Sequence, residues 1–127
     1  MKKKKLMEQS KTTILIAEDN ASNYKLLEVI LSKSYNLIHA WNGREAVELF
    51  KEHNPQLILM DIEMPEMNGY EATDAIRQLS PTVPILALTA YAYASDQERI
   101  LHSGMNAYMS KPLNFHLLRE RITELLS

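Results

Sequence analysis

Short apolar runs alternate with amphipathic stretches along the chain from about residue 13 to the C-terminus. Five of these runs are short and mostly apolar, a pattern typical of strands that are buried on both faces of a parallel sheet. They cover residues 14–17, 37–40, 57–60, 85–88 and 107–109. The chain is therefore predicted to contain five short strands.

Between and after these strands, apolar residues recur at helical spacing, as Leu118, Ile122 and Leu125 do near the C-terminus. Asn20 and Asn114 are suited to cap the first and last of the resulting five helices. The third helix is expected to end before Pro81, because proline disfavours helical backbone in the residue before it. Five strands that alternate with five helices predict an α/β fold.

Three further signals mark helix ends. Asn42 and Glu45 resemble a capping box, and Ser95 with Glu98 matches the S-x-x-E form of that motif. Gly104 suits the left-handed position that ends many helices. These residues predict the starts of the second and fourth helices and the end of the fourth.

Alternating strands and helices with right-handed connections leave few topologies. We expect a flavodoxin-like, doubly wound five-stranded parallel sheet in the order 2-1-3-4-5 with five helices. The length of 127 residues suits one domain, which we assign to residues 12–127, preceded by a flexible basic tail over residues 1–11. The chain contains no cysteine, which excludes disulfides and thiolate metal sites.

Charge and hydropathy exclude several classes of partner. The net charge of −2 gives no reason to expect nucleic-acid binding. No apolar run approaches the roughly 20 residues that span a bilayer, and the lysine run at 2–5 is not followed by the apolar stretch of a signal peptide. We therefore expect a cytoplasmic protein with no direct membrane insertion, in which the lysine run is a solvated tail.

Polar residues follow four of the five predicted strands. Parallel strands present their carboxyl ends at one edge of the sheet, so these side chains are expected to converge there. They are Glu18 and Asp19 after the first strand, Asp61 after the third, Thr89 after the fourth, and Lys111 after the fifth. The second strand ends in Ala40 and Trp41 and offers no reactive group.

The types of these residues indicate phosphoryl chemistry. Three crowded carboxylates either raise a pKa or hold a cation, and hard oxygen ligands suit Mg²⁺, with Mn²⁺ as an alternative. Lys111 and Thr89 can add a positive charge and a hydroxyl donor around a carboxylate nucleophile. We interpret this edge of the sheet as a candidate site for an aspartyl phosphate.

Four motifs carry a resemblance to a known family. The segments ILIAEDN at 14–20, LILMDIEMPEMNGY at 57–70, ALTA at 87–90 and SKP at 110–112 resemble the receiver domain of two-component response regulators. The resemblance covers about residues 12–126. The stretches EDNASN at 18–23 and MDIEMPEMNGYEAT at 60–73 are most similar to receivers of hybrid sensor histidine kinases.

The resemblance implies a role for each site residue. Asp61 would be the phosphoacceptor, and the metal would be bound by Asp19, Asp61 and the backbone carbonyl of Glu63, with Glu18 acting through water. The phosphoryl group would be contacted by Thr89, Ala90 and Lys111. Thr89 and Tyr108 would form the switch, and the Lys111–Pro112 bond would be cis.

The resemblance also implies partners. A histidine kinase or a histidine phosphotransfer domain would supply the phosphoryl group and dock on Asn20, Asn23, Tyr24 and Pro112. The fourth helix, fifth strand and fifth helix would form the output face, through which a homodimer could assemble. The isolated domain would be a phosphoacceptor with slow self-dephosphorylation rather than an enzyme. If it belongs to a membrane-anchored hybrid sensor, the parent protein would be a histidine kinase.

Two other readings stay open at this point. A phosphatase of the haloacid dehalogenase type also forms an aspartyl phosphate, but such enzymes carry a second aspartate two residues after the nucleophile, where this chain has Glu63. A receiver-like module that acts by contacts alone is the third reading. The presence of all five expected site residues argues against it.

Overall fold

A computed structural model describes residues 11–90 and 93–127. The predicted basic tail lies, except for Lys11, outside these residues. The elements alternate as predicted, and their bounds follow in chain order. They are β1 Thr13–Ala17, α1 Ala21–Leu31, β2 Asn36–Ala40, α2 Gly43–His53, β3 Leu57–Asp61, α3 Gly69–Leu79, β4 Ile85–Thr89, α4 Ala94–His102, β5 Ala107–Ser110 and α5 Phe115–Leu126.

The five strands form one parallel sheet in the order β2-β1-β3-β4-β5. This order confirms the predicted doubly wound topology. Both β3 and β4 are buried along their whole length, as expected for central strands that are covered on both faces.

Alternate residues of each strand supply two separate apolar cores. On one face, Leu15 and Ile58 belong to a core that α2, α3 and α4 complete. On the other face, Ile16 and Leu59 belong to a core that α1 and α5 complete. The twofold periodicity of a strand therefore accounts for apolar runs without polar interruptions, because both faces of the sheet are buried.

Asparagine caps open four of the five helices. Asn20 and Asn114 accept hydrogen bonds from backbone N–H groups of α1 and α5, as predicted. A complete capping box, which the sequence analysis missed, links Asn68 and Glu71 at the start of α3. The missed signal is an Asn-x-x-Glu pattern that also reads as an Asn-Gly turn.

Two capping predictions need correction. The S-x-x-E motif at Ser95 and Glu98 does not start α4, because the helix begins at Ala94 after Tyr93, which makes no side-chain cap hydrogen bond. Ser95 therefore lies inside the first turn rather than in the extended conformation of an N-cap residue. At α2, Asn42 accepts from Glu45 N–H, but the Glu45 carboxylate accepts from Trp41 N–H instead of completing the box. Gly104 has the predicted positive φ, at 105°.

Candidate functional site

The carboxyl edge of the sheet brings the predicted polar residues together. The carboxylates of Glu18, Asp19 and Asp61 each place an oxygen within 4.8 Å of the others. Glu18 and Asp61 are buried, with 1% and 2% of their surface exposed, while Asp19 faces solvent. The convergence expected from strand order is therefore present, and one member of the cluster is open to an incoming group.

Lys111 bridges the two buried carboxylates. Its Nζ lies 3.1 Å from Asp61 Oδ2 and 3.3 Å from Glu18 Oε1. Lys111 N–H donates to the Thr89 carbonyl at 2.7 Å, which ties the turn after β5 to the end of β4. The Lys111–Pro112 bond is cis, as predicted. The lysine thus contacts the two carboxylates that most need a counter-charge.

The electrostatics of the cluster favour an added cation. Burial, together with the Glu18 carboxylate, raises the pKa of Asp61 to about 7 in spite of Lys111. Burial by itself would lower the pKa of Lys111, but the Asp61 and Glu18 carboxylates outweigh it and raise that pKa. One ammonium group therefore does not offset the carboxylate charge, and a divalent cation would lower the cost of ionising Asp61.

The donor set fits a hard cation. Three carboxylates with converging oxygens, one of them exposed, suit Mg²⁺, which keeps several water ligands and takes few protein ones. Glu63 N–H donates to Asp61 Oδ1 at 3.2 Å, so the backbone of Glu63 runs directly beside the cluster. These residues could hold the metal that the sequence analysis expected.

Thr89 ends β4 beside the cluster and is buried. Its hydroxyl donates a hydrogen bond to Glu63 Oε2 at 3.3 Å. Ala90 follows in an exposed bend. Of the residues predicted to contact a phosphoryl group, Lys111 contacts the carboxylates directly and Thr89 is hydrogen-bonded to the Glu63 side chain.

A cleft of about 500 Å³ opens above Asp19, Glu63 and Thr89. Its lining includes Tyr70 from α3 and Asp96 and Arg99 from α4, none of which was predicted as a site residue. The Arg99 guanidinium lies 3.9 Å from the centre of the Tyr70 ring. This contact joins two helices whose residues are far apart in sequence, so no local pattern could have indicated it.

His39 is a second residue that the sequence analysis missed, since it was interpreted as surface or packing. It lies in β2, one residue before the strand ends, and its Nε2 is 2.8 Å from the Glu18 carbonyl oxygen. The available signal was a polar residue near the end of β2, because β2 pairs with β1 and the acidic pair Glu18 and Asp19 follows β1. The second strand therefore does contribute to the site.

The predicted docking residues share one side of the molecule. Asn23 and Pro112 both line an apolar groove of about 230 Å³ between α1 and the turn after β5. Asn20 is exposed at the start of α1, and Tyr24 is half-buried against His39. Tyr108 lies elsewhere, half-buried in β5, in a second groove lined from α4 and α5.

Within residues 11–90 and 93–127, we find no helix long and apolar enough to cross a bilayer.

Comparisons with known proteins agree with this geometry. The response regulator receiver domain family matches residues 14–123. The polar-differentiation response regulator DivK of Brucella anthropi is 40% identical over 117 residues, which cover 90% of this chain and 95% of that protein.

Two solved structures extend the comparison. A receiver domain of a Pseudomonas aeruginosa sensor histidine kinase, with magnesium coordinated in its active-site cleft, has a TM-score of 0.85 and 34% identity and covers 92% of this chain and 98% of its own. A Saccharomyces cerevisiae response regulator receiver domain, crystallised with a histidine phosphotransfer protein, has a TM-score of 0.85 and 38% identity. That match covers 91% of this chain and 88% of the other. This chain belongs to the response regulator receiver domain family of two-component signalling.

Proposed function

We propose that this protein is a phosphoryl-accepting switch in which Asp61 receives a phosphoryl group from a phosphohistidine on a histidine kinase or a histidine phosphotransfer domain. One observation carries the proposal: Asp61 lies at the carboxyl edge of the sheet between Lys111 and two further carboxylates. A buried structural aspartate would not need this surplus of negative charge around it.

In the proposed transfer, a carboxylate oxygen of Asp61 attacks phosphorus and forms a new O–P bond. The N–P bond of the phosphohistidine breaks, and its electron pair stays with the departing imidazole nitrogen. Lys111, already 3.1 Å from Asp61, moves its hydrogen bond to a phosphoryl oxygen. The Thr89 hydroxyl and the Ala90 backbone contact the remaining oxygens.

A divalent cation would be held by Asp19, Asp61 and the Glu63 carbonyl, with Glu18 bound through water. Mg²⁺, or Mn²⁺ in its place, supplies positive charge beside the transferring phosphoryl oxygens. Asp19 is the ligand open to solvent, so it faces the side from which a donor approaches.

Phosphorylation then shifts a two-state equilibrium. Thr89 leaves Glu63 for the phosphoryl group, and Tyr108 turns inward as β4 moves. The groove of about 540 Å³ beside Tyr108, lined from α4, β5 and α5, is the face that changes. A homodimer through this face is one output of the switch.

Docking of the donor uses the surface around Asn20, Asn23, Tyr24 and Pro112. The apolar groove between α1 and Pro112 supports this assignment, because Leu26 exposes 54% of its surface there. The yeast receiver crystallised with a histidine phosphotransfer protein supports the class of partner. Such a surface suits the apolar face of a partner helix.

The domain itself acts as a switch rather than a catalyst, with slow loss of its phosphoryl group to water. We place it in the cytoplasm, either alone or as the receiver of a membrane-anchored hybrid histidine kinase. The motifs at 18–23 and 60–73 favour the hybrid class.

Intact-mass measurement after incubation with Mg²⁺ and acetyl phosphate tests the proposal. A single phosphoryl adduct is expected, and it should be absent from Asp61→Asn and from samples with excess chelator. An adduct that survives the substitution or the chelator contradicts the assigned phosphoacceptor or the metal role. Repeated turnover of a generic phosphate ester would instead indicate a phosphatase, and a folded protein that takes no adduct would indicate a contact module.

A further inference from the structure

His39 in β2 contacts the Glu18 carbonyl, and its ring is part of a cluster of three aromatic rings. The His39 and Tyr24 rings are parallel, with an interplanar angle of 2° and centroids 3.7 Å apart. Trp41 packs on His39 at 4.2 Å with a tilt of 44°. The His39 ring is therefore fixed by Tyr24 from α1 and by Trp41 at the end of β2.

The fixed ring is aimed at the acidic loop. His39 Nε2 lies 2.8 Å from the Glu18 carbonyl oxygen, and because a carbonyl only accepts, Nε2 carries the hydrogen. Glu18 N–H donates to the Ala40 carbonyl at 3.0 Å. Both backbone polar groups of Glu18 are thus bound by β2, beyond the point where the register of β1 and β2 ends at Ala17 and Ala40.

The two hydrogen bonds to the Glu18 backbone also restrain the orientation of Asp19. The carbonyl that His39 holds belongs to the peptide plane joining Glu18 to Asp19, so its rotation would swing the Asp19 side chain away from Asp61. Asp19 is exposed, so burial of its own side chain does not oppose that rotation. The Glu18 side chain is held separately, by Lys111 and by Asn20 N–H.

We propose that His39 is a positioning residue for the metal site: its Nε2–H bond to the Glu18 carbonyl orients the Glu18–Asp19 peptide so that Asp19 faces Asp61. The inference rests on the proposed function, because it concerns the cation that the site would hold. It assigns no proton transfer to His39. Groups that orient metal ligands from outside the coordination sphere commonly change metal affinity about 10–100-fold.

The test separates the hydrogen bond from the stack. His39→Phe keeps a flat ring between Tyr24 and Trp41 but has no donor, and His39→Gln keeps an N–H donor without the aromatic ring. Mg²⁺ dissociation constants are measured by calorimetry at a pH above the usual histidine pKa, with melting temperatures measured in chelator. Fluorescence of Trp41, the single tryptophan, provides a second binding signal.

We expect His39→Phe to weaken Mg²⁺ binding about tenfold or more while its melting temperature changes little, and His39→Gln to recover part of the affinity. In metal-free His39→Phe, the Asp19 amide resonance should shift or broaden. Should His39→Phe fail to fold, His39→Met takes its place, since it fills the site without a donor.

Unchanged Mg²⁺ affinity in a folded donor-free variant overturns the inference and leaves the proposed function standing. Loss of stability with unchanged affinity has the same meaning, because it shows that the stack only packs. Absence of Mg²⁺ binding by the unsubstituted protein overturns the metal role itself, and this inference with it.

Discussion

The hydroxyl of Thr89 donates a hydrogen bond to the carboxylate of Glu63, with 3.3 Å between Oγ1 and Oε2. Thr89 is the last residue of β4, and Glu63 lies in the turn after β3. In the proposed switch, the same hydroxyl donates to the phosphoryl group. Glu63 therefore competes with the phosphoryl group for Thr89, and the contact favours the unphosphorylated conformation.

Removal of this competitor should ease the switch. Glu63→Ala is expected to tighten binding of beryllofluoride, a phosphoryl mimic, about threefold to tenfold, since a partly exposed charged hydrogen bond contributes about 1 kcal/mol. Glu63→Gln removes the charge and keeps an acceptor, so the difference between the two variants isolates the hydrogen bond. In a Thr89→Val background that difference should disappear, and its persistence would contradict the competition.

The pKa of Asp61 predicts the pH dependence of stability. Burial and Glu18 raise this pKa from 3.8 to about 7, so the folded state binds the Asp61 proton more tightly than the unfolded chain does. The contribution of Asp61 to the free energy of unfolding therefore falls as pH rises from about 4 to about 7 and is constant above that.

Asp61→Asn removes this penalty. In chelator at about pH 8, we expect the variant to be about 1–3 kcal/mol more stable in urea unfolding, and the gain should shrink towards pH 4. Mg²⁺ should stabilise the unsubstituted protein and have a much smaller effect on the variant. The control is Asp74→Asn, at an exposed position on α3. A gain that does not change with pH would show that the Asp61 charge is not its cause.

Removal of the Lys111 bridge should destabilise the protein, whereas Asp61→Asn should stabilise it. Lys111→Met leaves Glu18 and Asp61 without their shared cation, so we expect a loss of about 2 kcal/mol in chelator at about pH 8. Lys25→Met is the matched control, because Lys25 pairs with Glu28 at 3.2 Å on the surface of α1 and should contribute less than about 1 kcal/mol. Equal losses in the free energy of unfolding would show that the buried Lys111 bridge stabilises the protein no more than the surface pair does.

Gly69, the first residue of α3, packs directly against the backbone of Asp61 and Ile62, so a substitution there should disturb the metal site. A Cβ at this position would lie 2.6 Å from the Asp61 carbonyl oxygen and 2.9 Å from Ile62 Cα. Gly69→Ala must therefore displace the backbone that carries Asp61 and Glu63, and we expect a loss of about 1–3 kcal/mol together with weaker Mg²⁺ binding.

Gly104→Ala provides the comparison. Its φ of 105° makes alanine strained, but the atoms nearest to an added Cβ belong to the Arg77 and Thr73 side chains, at 3.4 Å or more, and not to residues of the metal site. We expect about 1–2 kcal/mol of destabilisation with Mg²⁺ affinity unchanged. Equal effects of both substitutions on Mg²⁺ affinity would contradict the proposed link. Urea unfolding and calorimetry check both variants.

Local pattern was sufficient for the topology and for the meeting of charges at one edge of the sheet. Apolar runs and helical periodicity are written in neighbouring residues, and parallel strands always align their carboxyl ends. Glu18, Asp61 and Lys111 could therefore be placed together before any contact was known. The predicted start of α4 was wrong because the helix begins at Ala94, so the S-x-x-E motif at Ser95 lies inside its first turn.

The sequence by itself determined that the carboxylates, the threonine and the lysine meet at one edge of the sheet, because each follows a strand whose direction and neighbours the pattern predicts. The tertiary structure alone decided how those groups are held: the His39 bond to the Glu18 carbonyl, the Thr89 bond to Glu63, and the Arg99 contact with Tyr70. Each of these contacts joins residues at least 21 positions apart. Their geometry depends on how strands and helices pack, which no local periodicity encodes.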